Sequence, residues 1–370
     1  MLLLSAAADP LQTCDASASQ GRDSPPLNEA ARQEWQRSVD AVVRSKIQRD
    51  SISGLAISVL SNGEPVFARC YGFSDRRHRV CVTPSTVFAL ASLTKIFTSL
   101  AVMVLVDEKA LQLNDPVPLR LSTAPQSWHD ISIRHLLSHT SGLPLAARNK
   151  QAFSGLCKEL PARRFLAGQR VEYNNVAYVI AGQIVEHVSG RRLSLFLKQH
   201  IFAPLSMHNT AIPAQLFPKN MALGYRLAKG RIVEYKNNQP WALMGGSGGV
   251  VSTIGDLEKF EKAWAQKKVF SCPVYTNMER AVLLSNGAPA GWSCSGELVN
   301  TPEGVVLTKN GNISGYSSWY ARGLRDNFSV IILSNTGHVK YGELDAHIRQ
   351  LWRRLPCQLQ RRCARQCLRR

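Results

Sequence analysis

The sequence predicts an α+β protein: one antiparallel sheet flanked by helices, carrying an inserted, mostly helical subdomain. Strand-like runs lie near the start of the 370-residue chain, a helical and loop-rich stretch fills its middle, and strands return near the end before a last helix. When strands come from both ends of a chain, the simplest layered solution is one sheet with the middle inserted beside it.

Each element has a local reason. Residues 28 to 49 place Ala31, Trp35, Val39, Val42, Val43 and Ile47 on one side at helical spacing. Two strands follow, from Gly54 to Leu60 and from Pro65 to Cys70. Asn62-Gly63 between them is a hairpin signal, because both residue types tolerate the positive φ of a tight turn. Ser92 to Leu105 is apolar nearly all round, which predicts a central buried helix. Ala177 to Glu186 predicts a second. Gly304 to Thr308, Tyr316 to Tyr320 and Ser329 to Ser334 read as the late strands, and Gly342 to Arg354 as the closing helix. The partition is an N-terminal segment (1–27), one domain (28–352) and a basic tail (353–370). Within the domain, 28–88 and 245–352 form the sheet part and 89–244 the helical part.

Composition narrows the function. A hydrophobic content of 45% suits a globular chain with one large core. No apolar run is long enough to span a bilayer. The net charge of +19 owes part of its size to Arg353, Arg354, Arg361, Arg362, Arg365, Arg369 and Arg370, which have no acid among them. Such a tail is either a solvated extension or a contact for an anionic surface. No zinc finger, RNA-binding aromatic motif or helix-turn-helix accompanies the charge, so nothing points to specific nucleic-acid binding.

The 9 cysteines are odd in number, so at least one is free or pairs outside the chain. Cys70 with Cys81, and Cys272 with Cys294, are the candidate pairs. Cys363 and Cys367 have no histidine near them and make a poor zinc site. Met1 to Ala8 resembles the end of an export signal with an A-x-A cleavage site, yet lacks a basic start and a full apolar stretch. A truncated signal and an ordinary terminus both fit. The expectation is a periplasmic or secreted location in the first case and a cytoplasmic one in the second.

The chemistry centres on Ser92-Leu93-Thr94-Lys95, the one place where a serine has a lysine three residues on. On a helix starting near the serine, the two side chains share a face. A buried lysine loses charge stabilisation, its pKa falls, and it can then take a proton from a serine that attacks a carbonyl. Tyr173-Asn174-Asn175 reads Y-x-N just before the second buried helix, and Lys309-Asn310-Gly311 reads K-x-G at the end of a strand. Singly, each has a bland reading: a serine N-cap, a core tyrosine, an asparagine N-cap, a solvated strand end. In this order and these settings they form a set.

On these three motifs the chain resembles the family that joins class C β-lactamases, serine D-alanyl-D-alanine carboxypeptidases and related esterases. The resemblance covers residues 30 to 350 or so. It includes Leu136-Leu137-Ser138-His139-Thr140-Ser141-Gly142-Leu143, Gly248 to Thr253 followed by Asp256-Leu257, and Leu333-Ser334-Asn335. It implies a β-lactamase/transpeptidase-like fold and an acyl-enzyme at Ser92. Lys95 would lower the barrier to removing the serine proton, and Tyr173 would pass a proton to the leaving group. Which of the two is the base stays open, since their roles are coupled. Asn175 would hold Lys95 and bond the substrate amide. Lys309, with Asn310 and Gly311 on the same strand, would bind substrate. The backbone N–H groups of Ser92 and Asn312 would form the oxyanion hole. The motif set implies no cofactor and no metal.

Departures refine the expectation. Lys309 stands where many esterase and carboxypeptidase relatives use histidine, which favours a substrate carrying a carboxylate. Asn310 replaces the usual threonine of the lactamases. Asn174 sits where small residues are common and is expected to narrow the pocket. The expected substrates are carboxylate-bearing amides, either β-lactams or D-alanyl-D-alanine-type peptides. The rivals are a carboxylesterase or secondary-metabolite peptidase and, from another class, a penicillin-binding sensor without turnover. Gly245-Gly246-Ser247-Gly248-Gly249 fits G-x-S-x-G, but a nucleophile elbow needs a strand before it and a helix directly after. His139 reads as a structural hydrogen-bonding residue.

Overall fold

Asn62 and Gly63 take φ values of 52° and 80° and turn β1 (Gly54–Ser61) back onto β2 (Glu64–Asp75). The structure, a computed structural model, describes residues 26–145, 162–214, 219–235 and 244–355. The export-like start, the arginine tail beyond residue 355, and Cys14, Cys157, Cys357, Cys363 and Cys367 lie outside the described residues. The remaining strands are β3 (Val80–Cys81), β4 (Phe88–Ala89), β5 (Tyr225–Ala228), β6 (Arg231–Glu234), β7 (Val251–Ser252), β8 (Glu297–Thr301), β9 (Gly304–Ile313), β10 (Tyr316–Gly323) and β11 (Phe328–Ser334).

The main sheet has the order β3-β2-β1-β11-β10-β9-β8, and its pairings are antiparallel. Its centre joins the two ends of the chain: Leu55 pairs with Ser334 and Ser61 with Phe328. The fold is therefore α+β with one large antiparallel sheet, as the strand runs predict.

Side-chain alternation gives the sheet two dry faces. Leu55, Ile57 and Val59 of β1 share a core with Phe328, Val330 and Ile332 of β11. Over it pack the helices Pro26–Arg49 and Gly342–Arg353, through Trp35, Val39, Val43, Ile47, Leu344 and Ile348. Ala56 and Leu60 point the other way, with Ile331 and Leu333, into the larger core beneath the helical part. Its centre is the helix Thr94–Asp107, in which Ile96, Phe97 and Leu100 to Met103 are buried. The helices Asn175–Ser189 and Ile254–Gln266 share this core through Tyr178, Ile180, Leu257 and Phe260.

Several expectations change. The helix of the S-x-x-K motif starts at Thr94, and Ser92 sits before it in a 3₁₀ turn, Ala91–Leu93, so it is not an N-cap. Cys70 is free and buried with Ala56 and Val82, whereas Cys81 is disulfide-bonded to another cysteine. In the ladder Cys81 lies opposite Phe73, three residues past Cys70. Cys272 and Cys294 are both free, the first exposed and the second buried. The periodicity also passes over β3, β8 and the β5–β6 hairpin, whose strands are two to five residues long.

Candidate active site

Ser92 is set by backbone geometry rather than by a helix. Ala91, just before it, has φ 48°, a left-handed conformation that costs a non-glycine residue of order 1 kcal/mol. The turn is held from two sides: Leu90 N–H donates to Val250 O at 2.9 Å, and Leu90 O accepts from Ser318 Oγ at 2.7 Å. Gly311 of β9 passes directly beneath. A Cβ there would sit 2.2 Å from both Leu90 O and Ser318 Oγ, and 3.2 Å from Ser92 N. Only glycine lets the strand come this close to the serine.

Lys95 is fully buried. Its Nζ lies 3.0 Å from Ser92 Oγ, 2.8 Å from Asn175 Oδ1 and 2.6 Å from Ser247 O. The two carbonyl oxygens can only accept, so they take two N–H donors. What remains depends on charge. An ammonium would give its third N–H to Ser92, while a neutral amine would turn its lone pair to the serine proton. Burial, and then the nearby Lys309, hold Lys95 well below the ordinary lysine value, which favours the amine.

Tyr173 hydrogen-bonds with Ser92; burial pushes its phenol up to about 12 while that bond opposes the rise. At neutral pH it therefore carries its proton. His139 fixes the segment: its O accepts from Glu172 N–H at 2.9 Å, its Nδ1 accepts from Asn174 N–H at 3.1 Å, and its ring lies 4.4 Å from the Tyr173 ring. Because Nδ1 accepts, the ring proton is on Nε2, which is buried and has no hydrogen-bond partner among the described residues. Burial, with Lys309 and Lys95 near, holds His139 neutral, well below its usual value.

Asn174 and Asn175 divide their work. Asn174 is the N-cap of the Asn175–Ser189 helix: its Oδ1 accepts from Ala177 N–H at 3.0 Å, and its Nδ2 donates to Leu143 O at 2.7 Å. It is buried, and its side chain is spent on the helix end and on the Leu143 and Pro144 carbonyls. Asn175 begins the helix and faces Lys95.

Lys309 is buried, and its Nζ has no hydrogen-bond partner among the described residues. It faces the rings of Trp292 at 4.9 Å, Tyr173 at 5.3 Å and Tyr178 at 5.7 Å. Burial lowers its pKa to about 7, opposed by Glu297. Asn310 is exposed on the same strand.

Asn312 has its side chain engaged elsewhere: Oδ1 accepts from Ser317 Oγ at 3.0 Å and from His338 N–H at 2.7 Å. Its backbone is the relevant group. β8 follows β9 only as far as Thr308, and beyond it no strand among the described residues pairs with that edge of β9. Leu324 N–H donates to Val305 O at 3.0 Å, which sets the alternation with β10. The even-numbered residues, Asn312 included, then aim N–H away from β10, off that edge on the side of the serine turn.

The G-x-S-x-G run is not an elbow. Gly245–Gly248 is one short helical turn, and after Gly249 the chain enters the short strand β7. Ser247 Oγ is spent on Met244 O at 2.7 Å. The run serves through its backbone instead: Ser247 O takes Lys95 and Gly246 O takes Thr98 Oγ1 at 2.8 Å. A Cβ on Gly246 would come within 2.6 Å of Tyr178 O.

Residues 39–351 match the Beta-lactamase family. The chain belongs to that family of serine hydrolases. Protein flp of Staphylococcus aureus (strain MW2) is 26% identical over 336 residues, covering 85% of this chain and 66% of that protein. Penicillin-binding protein 4* of Bacillus subtilis (strain 168) is 28% identical over 304 residues, covering 74% of this chain and 66% of that protein. The chain thus spans 66% of the length of these relatives. The octameric penicillin-binding protein homologue from Pyrococcus abyssi superposes with a TM-score of 0.72 at 25% identity, covering 85% of this chain and 77% of that one.

In this member of the β-lactamase family the structure brings together Ser92, Lys95, Tyr173, Asn175, Lys309, Gly311 and the Asn312 backbone. Sequence reasoning missed the Ser247 carbonyl, the strained Ala91 and Trp292. The glycine run was a usable signal for the first, because five residues with four glycines invite close backbone approach. Ala91 and Trp292 carry none.

Proposed function

We propose that the protein hydrolyses carboxylate-bearing amides, of the β-lactam or D-alanyl-D-alanine type, through an acyl-enzyme on Ser92. One observation carries the reading: two carbonyls occupy two donors of Lys95, and the amine's lone pair is left for the Ser92 hydroxyl at 3.0 Å. Ser92 Oγ attacks the substrate carbonyl carbon while its proton passes to Lys95. Tyr173 is protonated at neutral pH and suits the opposite task, giving a proton to the leaving nitrogen. Lys95 is therefore the base, and the proton it took from Ser92 restores the Tyr173 phenol once the leaving nitrogen has departed. The Ser92 and Asn312 N–H groups stabilise the oxyanion, a donor of this kind being worth ~3 kcal/mol in the transition state. Water then attacks the ester and frees Ser92. Lys309, a buried amine with no hydrogen-bond partner among the described residues, supports a substrate carboxylate as the group it receives.

The Cys81 disulfide supports an oxidising location, periplasmic or secreted. The arginine tail suits contact with an anionic surface there.

The test follows a fluorescent penicillin by intact mass over time, with Ser92→Ala as control and ester and D-dipeptide hydrolysis measured alongside. Label on Ser92 that is lost with product release is the expected result. Persistent label points to a penicillin-binding sensor, and ester turnover without amide turnover to an esterase. No label and no hydrolysis of any of these would sink the reading.

A further inference from the structure

Lys309 is held in an unusual way for a buried amine. Its pocket receives groups from every element around it: Lys95 from the Thr94–Asp107 helix, His139, Tyr173, Tyr178 from the Asn175–Ser189 helix, and Trp292. None of these carries negative charge at neutral pH. Among the described residues Glu297 of β8 is the carboxylate acting on it; it is exposed and makes neither an ion pair nor a hydrogen bond with Nζ. The nearest ring is the indole of Trp292 at 4.9 Å, closer than either tyrosine.

Trp292 is placed deliberately by its backbone. Val282 N–H donates to Trp292 O at 2.8 Å, Ser293 N–H to Gly296 O at 2.9 Å, and Trp292 bridges Glu297 in antiparallel fashion. Its ring meets His139 edge-to-face at 4.8 Å and lies 6.0 Å from Tyr173. The indole is half-buried, whereas the lysine behind it is covered. It thus forms the outer wall of the Lys309 pocket.

We propose that Trp292 is the specificity-determining residue for anionic substrates: it keeps the Lys309 amine dry and without a hydrogen bond, so that a substrate carboxylate becomes its first strong partner. This rests on the hydrolase reading above and says what sets its substrate class. A π face stabilises an ammonium without competing for the hydrogen bonds that a carboxylate needs. Excluding water also leaves the attraction between the two charges poorly screened.

A pH dependence follows. With a pKa of about 7, Lys309 loses its charge as pH rises through neutrality, and a carboxylate binds the charged form. Binding an anion therefore draws a proton onto Lys309, and KM for the anion rises above pH 7 while KM for a neutral analogue does not.

The experiment compares an N-acyl-D-alanyl-D-alanine with its C-terminal carboxamide, and benzylpenicillin with its methyl ester for acylation. The proteins are the full chain and its Trp292→Phe, Trp292→Leu, Trp292→Gln and Lys309→Met variants, each checked for folding by circular dichroism. In Trp292→Leu and Trp292→Gln the acid-over-neutral preference should fall about tenfold, chiefly in KM, as water reaches the ammonium. The pH at which KM for the acid starts to rise should move upward with it. Trp292→Phe keeps a π face and should stay within about threefold of the parent. Equal losses for acid and neutral substrates in Trp292→Leu and Trp292→Gln, or an unchanged preference and pH profile, would overturn the proposal. Lys309→Met separates the two levels. If it leaves the preference intact, the carboxylate reading itself fails. If it abolishes the preference while Trp292→Leu and Trp292→Gln do not, only the role of Trp292 fails.

Discussion

Two clusters of buried ionisable side chains lie on the same face of the main sheet and are compensated differently. In one, Glu261 of the helix Ile254–Gln266 is fully buried and accepts from Tyr320 at 2.6 Å, from Ser329 at 2.6 Å and from the Arg322 guanidinium. Opposite charges meet and the acid's lone pairs are used. In the other, Lys95 and Lys309 are buried beside each other, and among the described residues no acid bonds to either. Neutral carbonyls serve the first, aromatic rings the second. Charge matched by opposite charge holds a fold together; amines matched only by dipoles and rings are held ready for something that arrives. Burial alone would not distinguish these cases, whereas the identity of the partners does.

The contrast can be broken at either cluster. The largest change is expected from Lys95→Met, which should lower acylation by about a hundredfold to ten-thousandfold, the usual worth of a positioned base. It should leave the melting temperature unlowered, since it removes a desolvated amine. For the parent protein the acylation rate should fall as pH drops through the Lys95 pKa, which lies well below the ordinary lysine value, because protonation fills the lone pair. Stopped-flow measurement with a chromogenic β-lactam, alongside calorimetry, checks both parts. Glu261→Ala should do the reverse. Removing the nearer of Arg322's two carboxylates, with Glu279 left at 3.6 Å, is expected to cost about 3 kcal/mol of stability by urea unfolding, while the folded fraction keeps its acylation rate. The smallest effect belongs to a residue between the two kinds. Asn174→Ala removes an N-cap and should cost about 1 kcal/mol, with a modest loss of rate as Tyr173 loosens.

How much of this was legible in the sequence depends on how local each signal is. Asn62-Gly63 announced its hairpin because the turn chemistry is contained in two residues. The Thr94–Asp107 helix announced itself by an apolar run, and Ser92, Lys95, Tyr173 and Lys309 by motif spacing. Signals failed where the deciding partner was distant in the chain. Asn174 looked like a pocket residue because its neighbours in Y-x-N are near Ser92, but its side chain is claimed by Leu143 and its own helix end. Cys70 and Cys81 looked paired by proximity, yet Cys70 points into the core with Ala56 and Val82. The glycines around Ser247 fit a nucleophile elbow whose flanks do not, and nothing local records that its carbonyl reaches Lys95. Trp292 reaches Lys309 from a loop whose register no short-range pattern records.

The pairing of Leu55 with Ser334 has a consequence for how the protein is made. The central strands are the last pieces to find each other, since β11 leaves the ribosome long after β1. Contacts of such long sequence separation slow folding. During synthesis β1 exposes its apolar flank without a neighbour, a state prone to sticking to other chains. The Ser318 hydroxyl that braces the serine turn, and the strand carrying Lys309, also arrive late. A nascent chain therefore holds Ser92 well before the groups around it are in place, and the site is assembled only when the sheet closes.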